Sequence, residues 1–139
     1  MSLAQVTQYD SARWHAVADD AKHKIETRLF IDGKFVDAAK GGRFTTSNPA
    51  NGEILAEMSA GTAEDIDRAV AAAKKAFRSG VWSRMAPRDR MEVLYRFANL
   101  VDEHAEQLAV LETLDMGKPI GDVVSQDLPA VVNTIRFMA

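Results

Sequence analysis

Apolar residues recur at helical spacing most clearly over residues 62–78, which predicts an amphipathic helix there. Thr62 is a suitable N-cap, and Gly80 is a suitable residue for ending the helix. The apolar stripe of this helix is predicted to be buried, and its members are Ile66, Ala69, Val70, Ala73 and Phe77.

The second half of the chain is predicted to be helical as well. A helix opens at Pro87, a favoured residue at the first helical position. The polar run at residues 102–104 predicts a bend, after which the helix continues to Asp115. A last helix is predicted from about Asp127 to the end, with Pro129 in its first turn.

The first third of the chain predicts one short helix followed by two hairpins. Residues 10–25 place five apolar side chains on one helix face: Trp14, Val17, Ala18, Ala21 and Ile25. Acidic and basic residues share its polar face, so packing on protein is favoured over lying on a membrane surface. The pair Asp32-Gly33 and the stretch at 48–52 are turn sequences between strand-forming residues.

The composition excludes several classes of protein. The 139 residues are 47% hydrophobic and 27% charged, which is typical of one folded domain. A net charge of −3 disfavours a nucleic-acid partner, and no apolar run is long enough for a membrane span. The N-terminal residues lack the pattern of a signal peptide, so we expect a cytoplasmic protein. There is no cysteine.

Motifs of known chemistry are absent from the sequence. It contains no G-x-G-x-x-G, Walker, G-x-S-x-G or H-E-x-x-H pattern, and its three histidines are scattered. The carboxylates of Asp65, Asp67, Asp102 and Glu103 lie on predicted polar helix faces and are expected to be solvated.

One carboxylate has an unexpected position. The stretch "LETLDMGKP" at 111–119 is typical of a helix C-terminus, because Gly117 can adopt the left-handed conformation and Pro119 prevents resumption. A helix C-terminus carries partial negative charge, so Asp115 should be unfavourable there unless a positive charge lies close by.

Several stretches, in order and spacing, resemble the N-terminal region of the NAD(P)-dependent aldehyde dehydrogenases over about residues 28–139. They read "LFIDGKF", "NPANGEILAEM", "DIDRAVAAAKKAF" and "LETLDMGKP". The helix around Trp14 and the stretch "DLPAVVNTIRFMA" more narrowly resemble the gamma-glutamyl-gamma-aminobutyraldehyde dehydrogenases of polyamine and putrescine breakdown. The resemblance implies an α/β fold. It makes residues 1–139 a truncated N-terminal part of a Rossmann-type NAD-binding domain, with a helical extension at 1–27.

The resemblance also implies where the chemistry lies. In the family, a cysteine thiolate attacks the aldehyde, hydride passes to NAD or NADP, and water releases the acid. The cysteine, the glutamate base and the cofactor-contacting segments all come later in family members. No catalytic or cofactor-binding residue is therefore assigned within this chain, which is expected to be inactive alone.

A monovalent cation, K⁺ or Na⁺, is the second implication of the resemblance. Family members often hold such an ion near the position matching Asp115. By this resemblance, the ligands in the present chain are the Asp115 side chain and the backbone of Thr46 and Ser47. The alternative is that Asp115 only accepts hydrogen bonds from amides around Gly117.

A third implication concerns the substrate, a small aldehyde. Gln126, Asp127 and Ala130 match positions near the substrate entrance of relatives, where polar residues suit an amino-bearing or carboxylated aldehyde. The alternative for Asp127 is a role as the N-cap of the last helix.

Two functional classes compete at this stage. The first is a truncated aldehyde dehydrogenase, whose full-length form would be a homodimer or homotetramer. The second is a separate, non-catalytic interaction module derived from the same family. The pattern "NTIRFMA" lacks a helix-ending residue, which favours the first class.

Overall fold

The computed structural model describes residues 2–139. Its helices are α1 (Leu3–Val6), α2 (Ser11–Lys22), α3 (Ala63–Ser79), α4 (Pro87–Glu103), α5 (Ala105–Met116), α6 (Ile120–Asp122) and α7 (Leu128–Met138). A π-helical turn, Val123–Asp127, joins the last two. Its strands are β1 (Leu29–Ile31), β2 (Lys34–Val36), β3 (Arg43–Ser47) and β4 (Ile54–Ser59). None of the helices in residues 2–139 is long and apolar enough to cross a membrane.

The strands form two separate antiparallel hairpins, as the turn sequences predict. In the first hairpin, Asp32 (φ 52°) and Gly33 (φ 76°) are both left-handed, which is the geometry of a type I′ turn. In the second, β3 pairs with β4 and the register shifts between Thr46 and Ser47. This irregularity locally disrupts the ladder of backbone hydrogen bonds at the end of β3.

The main core is formed where α4, α5 and α7 meet. Small and β-branched residues dominate it, with Ala98, Ala105 and Ala109 fully buried beside Val123 and Val132. Small side chains allow the helix backbones to approach closely. The break between α4 and α5 falls at His104, which confirms the predicted bend.

The N-terminal helices are attached to this core by both apolar and polar contacts. Val17 and Ala21 of α2 pack against Val110 and Leu114 of α5, which confirms the predicted packing of this helix on protein. Three polar contacts add to this attachment: Leu3 N to Asp102 Oδ1 at 2.9 Å, Tyr9 Oη to Glu106 Oε1 at 3.0 Å, and Arg13 Nη2 to the same oxygen at 2.8 Å. The expectation that Asp102 is solvated was therefore wrong.

The apolar stripe of α3 is exposed, in contrast to the prediction. Ile66 is 60% and Phe77 81% accessible to solvent. The helix itself is as predicted, with Thr62 as N-cap and a left-handed Gly80 after its last residue. The periodicity was thus a correct guide to the helix but not to its burial, because no other part of residues 2–139 covers this face.

Asp65 anchors the start of α3, and the expectation that it is solvated was also wrong. The residue is 2% exposed. Its carboxylate accepts hydrogen bonds from Thr62 N at 2.9 Å, Thr62 Oγ1 at 3.0 Å and Ala39 N at 3.0 Å, and pairs with Arg68 at 3.2 Å. These contacts lower the pKa of Asp65, the hydrogen bond from the Thr62 backbone contributing most. One carboxylate thus joins α3 to the segment that follows β2.

The last helix, α7, begins at Leu128 with Pro129 in its first turn, as predicted. The chain is already helical before this point, because α6 and the π-helical turn lead directly into α7. Proline has no N–H and its ring clashes with the carbonyl four residues earlier. The π-helical turn widens the backbone just before this point, and Leu128 N donates to Val123 O, five residues back.

We predict that Asp65→Asn lowers the melting temperature of the chain by several degrees at pH 7. An amide places a donor where the carboxylate accepts from three N–H and O–H groups. Because the folded pKa of Asp65 is lowered, its stabilisation is present above about pH 4 and is lost as the pH falls through the folded pKa. Thermal melts of both proteins from pH 7 to pH 2 should converge at the acid end. Asp67→Asn, at an exposed carboxylate on the same helix, is the control, and an equal effect there would contradict the role of Asp65.

Candidate functional site

The first candidate site begins at the C-terminus of α5. Gly117 is left-handed (φ 78°), and its N–H donates to Thr113 O at 2.9 Å. The carbonyl of Asp115 would normally accept from the residue four positions later, but that residue is Pro119, which has no N–H. The helix therefore ends with an orphan carbonyl next to an exposed carboxylate.

The turn between β3 and β4 forms the other side of this site. Asn48 is buried, and its Oδ1 accepts from Ala50 N at 2.9 Å. Gly52 N donates to Asn48 O at 2.7 Å, which closes the turn. These local bonds fix the direction of Pro49, the residue that faces α5.

The two segments meet through one packing contact and one hydrogen bond. A Cβ at position 117 would lie 2.8 Å from Pro49 Cγ, so only glycine fits without displacement. Thr46 Oγ1 donates to Asp115 Oδ1 at 2.8 Å, although the two residues are 69 positions apart. We call this contact region the β3–α5 junction, defined by Thr46, Ser47, Pro49, Asp115 and Gly117.

The β3–α5 junction brings the predicted cation ligands together only in part. Asp115 faces Thr46, but through the threonine hydroxyl and not through its backbone. Ser47 lies at the irregularity of β3, where the regular ladder is interrupted. In residues 2–139 no group of three or more His, Asp or Glu side chains is placed to hold a metal ion. A cation here would thus have one carboxylate and would depend on backbone carbonyls for its other ligands.

The alternative for Asp115, a purely local role around Gly117, lacks support in this geometry. The Gly117 N–H is already engaged with Thr113 O. The hydrogen bond to the Asp115 carboxylate comes from another element of the fold.

The second group of predicted residues lies at the start of the last helical run. Asp127 forms an ion pair with Lys118. Gln126 and Ala130 are exposed, and Gln126 Nε2 lies 3.4 Å from Asp122 Oδ1. Asp127 has helical dihedral angles and its side chain caps no backbone N–H, so it is not an N-cap in the predicted sense.

Sequence reasoning missed Lys118. The lysine follows the left-handed Gly117, and the nine positions between it and Asp127 correspond to no helical or strand spacing. The opposite charges are visible in the sequence, but it does not show that the turn at Pro119 brings them together. The hydrogen bond from the Thr46 hydroxyl to Asp115 was missed for the same reason, because the two residues are far apart in sequence.

Comparison with protein families is decisive for the identity of this fold. The profile described as the aldehyde dehydrogenase family matches residues 35–139. The chain belongs to this family. Both segments of the β3–α5 junction lie inside the matched range.

Individual relatives are similar over most of the chain. The aminoacetaldehyde dehydrogenase of Pseudomonas aeruginosa is 48% identical over 115 residues, which are 83% of this chain and 23% of that protein. The structure of a gamma-glutamyl-gamma-aminobutyraldehyde dehydrogenase from Burkholderia cenocepacia superposes with a TM-score of 0.85 at 39% identity, covering 99% of this chain and 26% of that one.

A third relative has a different named substrate. The structure of the Pseudomonas syringae indole-3-acetaldehyde dehydrogenase AldA, with NAD⁺ and IAA, superposes with a TM-score of 0.86 at 44% identity. It covers 91% of this chain and 25% of that chain. The present chain therefore spans about a quarter of the length of the relatives it matches.

From the geometry of the β3–α5 junction, we predict that Gly117→Ala strongly lowers the free energy of unfolding. The left-handed backbone alone costs about 1–2 kcal/mol with a side chain present, and the overlap with Pro49 adds roughly 1–3 kcal/mol. Gly52→Ala is the matched control, because Gly52 has a similar φ of 76° with nothing within 4 Å of its Cβ position.

Denaturant unfolding of both single variants and of the double variant Pro49→Ala/Gly117→Ala separates the cost of the left-handed backbone from the cost of the overlap with Pro49. Gly117→Ala should lose clearly more stability than Gly52→Ala, and the proline substitution should recover part of the difference. Equal losses at the two glycines would show that the contact with Pro49 is unimportant.

Proposed function

We propose that this chain is the N-terminal part of the dinucleotide-binding domain of an NAD(P)-dependent aldehyde dehydrogenase, with residues 1–27 as a helical extension. The observation that carries the proposal is the β3–α5 junction. The packing of Pro49 against Gly117 joins the two most specific stretches of the family resemblance, "NPANGE" and "LETLDMGKP". The full-length enzyme would oxidise an aldehyde to a carboxylic acid, as a homodimer or homotetramer.

The residues described here do not fit a complete NAD site. The sequence has no glycine-rich phosphate-binding loop and no cysteine. We therefore assign no cofactor contact and no catalytic step to this chain. Under this proposal its contribution is structural: it supplies helices and hairpins against which the catalytic and nucleotide-binding parts of the enzyme pack.

The proposed substrate is an amino-bearing or gamma-glutamylamino aldehyde of putrescine breakdown. Two of the similar proteins support this class, since one is an aminoacetaldehyde dehydrogenase and the other a gamma-glutamyl-gamma-aminobutyraldehyde dehydrogenase. The polar side chains of Gln126 and Asp127 and the small Ala130 are the proposed substrate-entrance residues. A relative of similar identity is named for indole-3-acetaldehyde, so kinetic comparison must decide the class.

The test is a chimera in which residues 1–139 replace the matched segment of the Pseudomonas aeruginosa relative. We expect a folded enzyme that reduces NAD⁺ with aminoacetaldehyde within about tenfold of the parent rate, because the segment carries no reacting group. The 139-residue chain alone should show neither dehydrogenase activity nor saturable NAD⁺ binding by calorimetry.

Two results would contradict the proposal. A folded but inactive chimera would favour the alternative, a non-catalytic module, which would instead bind full-length relatives in a sedimentation assay. Micromolar NAD⁺ binding by the chain alone would reveal a nucleotide site within residues 1–139.

We also propose a monovalent cation at the β3–α5 junction of the full-length enzyme. The Asp115 carboxylate, the orphan carbonyl at the end of α5 and the interrupted ladder at Thr46–Ser47 provide the hard oxygen ligands that K⁺ or Na⁺ prefers. A cation would also compensate the unfavourable pairing of a carboxylate with a helix C-terminus.

Asp115→Asn tests the cation proposal in the active chimera. A bound ion stabilises the folded state by mass action, so the melting temperature of the parent should rise with KCl or NaCl when choline chloride keeps ionic strength constant. The variant retains one acceptor oxygen for Thr46 but lacks the charge, and its curve should stay flat. Parallel curves for the two proteins would rule out the cation.

A further inference from the structure

Lys118 connects two segments that the turn at Pro119 separates. Its Nζ pairs with the Asp127 carboxylate, which lies at the end of the π-helical turn. The two side chains are 31% and 38% exposed, so the pair is partly shielded from solvent. The contact therefore links the end of α5 to the place where the helical run changes its hydrogen-bonding pattern.

The electrostatic surroundings favour this pairing. The hydrogen bond with Asp127 is the largest of the contacts that raise the pKa of Lys118, and the charges of Asp122 and Glu112 add to it. The Lys118 ammonium contacts Asp127 and is further stabilised by the charges of Asp122 and Glu112, so it keeps its proton through the neutral pH range.

Asp127 and the other two proposed entrance residues lie on different sides of the last helical run. Asp127 borders an apolar groove between α4, α5 and α7, of about 530 Å³, together with Val123 and Val131. Gln126 and Ala130, four positions apart, share another face and are exposed. Neither of them lines the groove.

The π-helical turn makes the orientation of these faces sensitive to its anchoring. One extra residue in a helical turn rotates everything that follows relative to what precedes it. Pro129 removes a further backbone donor immediately after the turn. Val123 and Val124 of the turn already pack against Ala105 and Ala109 of α5, and the Lys118–Asp127 pair adds a polar contact between the end of the turn and the residues that follow α5.

We propose that Lys118 and Asp127 form a clamp that positions the entrance face carrying Gln126 and Ala130, and that Asp127 is not itself a ligand of the substrate. This inference rests on the proposed function and narrows it. Lys118 is a positioning residue, since it acts through Asp127 and the helix that follows. Substrate contact belongs to the side chains at 126 and 130.

The kinetic test compares Lys118→Met, Asp127→Asn, the double variant and Lys118→Arg in the active chimera. Two substrates of similar length are used, aminoacetaldehyde and the uncharged propanal. Each single variant should lower kcat/KM about tenfold, and by the same factor for both aldehydes, because misplacement of the entrance face affects them alike.

The double variant should be no worse than either single one, because both remove the same contact. Lys118→Arg should restore activity to within about twofold of the parent, because it keeps the charge. Lys75→Met, at an exposed lysine on the polar face of α3, is the control and should leave the kinetics unchanged.

Effects that differ between the two substrates would overturn the clamp. If Asp127 bound the ammonium of aminoacetaldehyde directly, Asp127→Asn would raise its KM selectively and Lys118→Met would lower it. Normal kinetics in Lys118→Met, with only a lower melting temperature, would show that the pair contributes to stability without positioning the entrance face.

A second readout is independent of catalysis. The acylation rate of Lys118 at pH 9, measured by peptide mass spectrometry on the 139-residue chain, should rise several-fold in Asp127→Asn, with Lys74 as internal reference. An unchanged rate would refute the pair itself. If the chimera oxidises no aldehyde, the proposed function fails and the positioning role fails with it, while this readout still decides whether the Lys118–Asp127 pair exists.

Discussion

The fold depends on one contact between segments that are distant in sequence, the β3–α5 junction. Because α5 ends in a left-handed glycine without a side chain, Pro49 can pack directly on the backbone there. Any side chain at position 117 would overlap the Pro49 ring. The Thr46 hydroxyl then binds the Asp115 carboxylate at 2.8 Å. A hairpin that would be marginal alone is thereby held against the helical core.

Buried or half-buried carboxylates perform the same task at other places. Asp65 holds α3 to the segment after β2, and Asp102 accepts a hydrogen bond from the first backbone N–H of α1. Glu106 accepts hydrogen bonds from the side chains of Tyr9 and Arg13. The buried residues of the two apolar clusters belong to α1, α2, α4, α5 and the last helical run. The contacts of Asp102 and Glu106 therefore add to apolar packing at the N-terminal helices, whereas Asp65 links α3, which lies outside these clusters, to the segment after β2.

The exposed apolar face of α3 has a physical explanation within the family. The chain spans about a quarter of the length of its relatives, and the amphipathic pattern of Ile66, Val70 and Phe77 is that of a helix with a partner. In the proposed full-length enzyme this face would pack on the remainder of the dinucleotide-binding domain.

Short stretches of sequence were enough to predict the local structure: the type I′ turn at Asp32-Gly33, the caps of α3, the bend at 102–104 and the helix end at Gly117. These features depend on the dihedral and hydrogen-bonding preferences of a few neighbouring residues. Which polar groups are buried and paired became visible only from the packing of distant segments. Asp65 with Ala39, Thr46 with Asp115 and Lys118 with Asp127 depend on how the chain returns on itself, and periodicity carries no information about that.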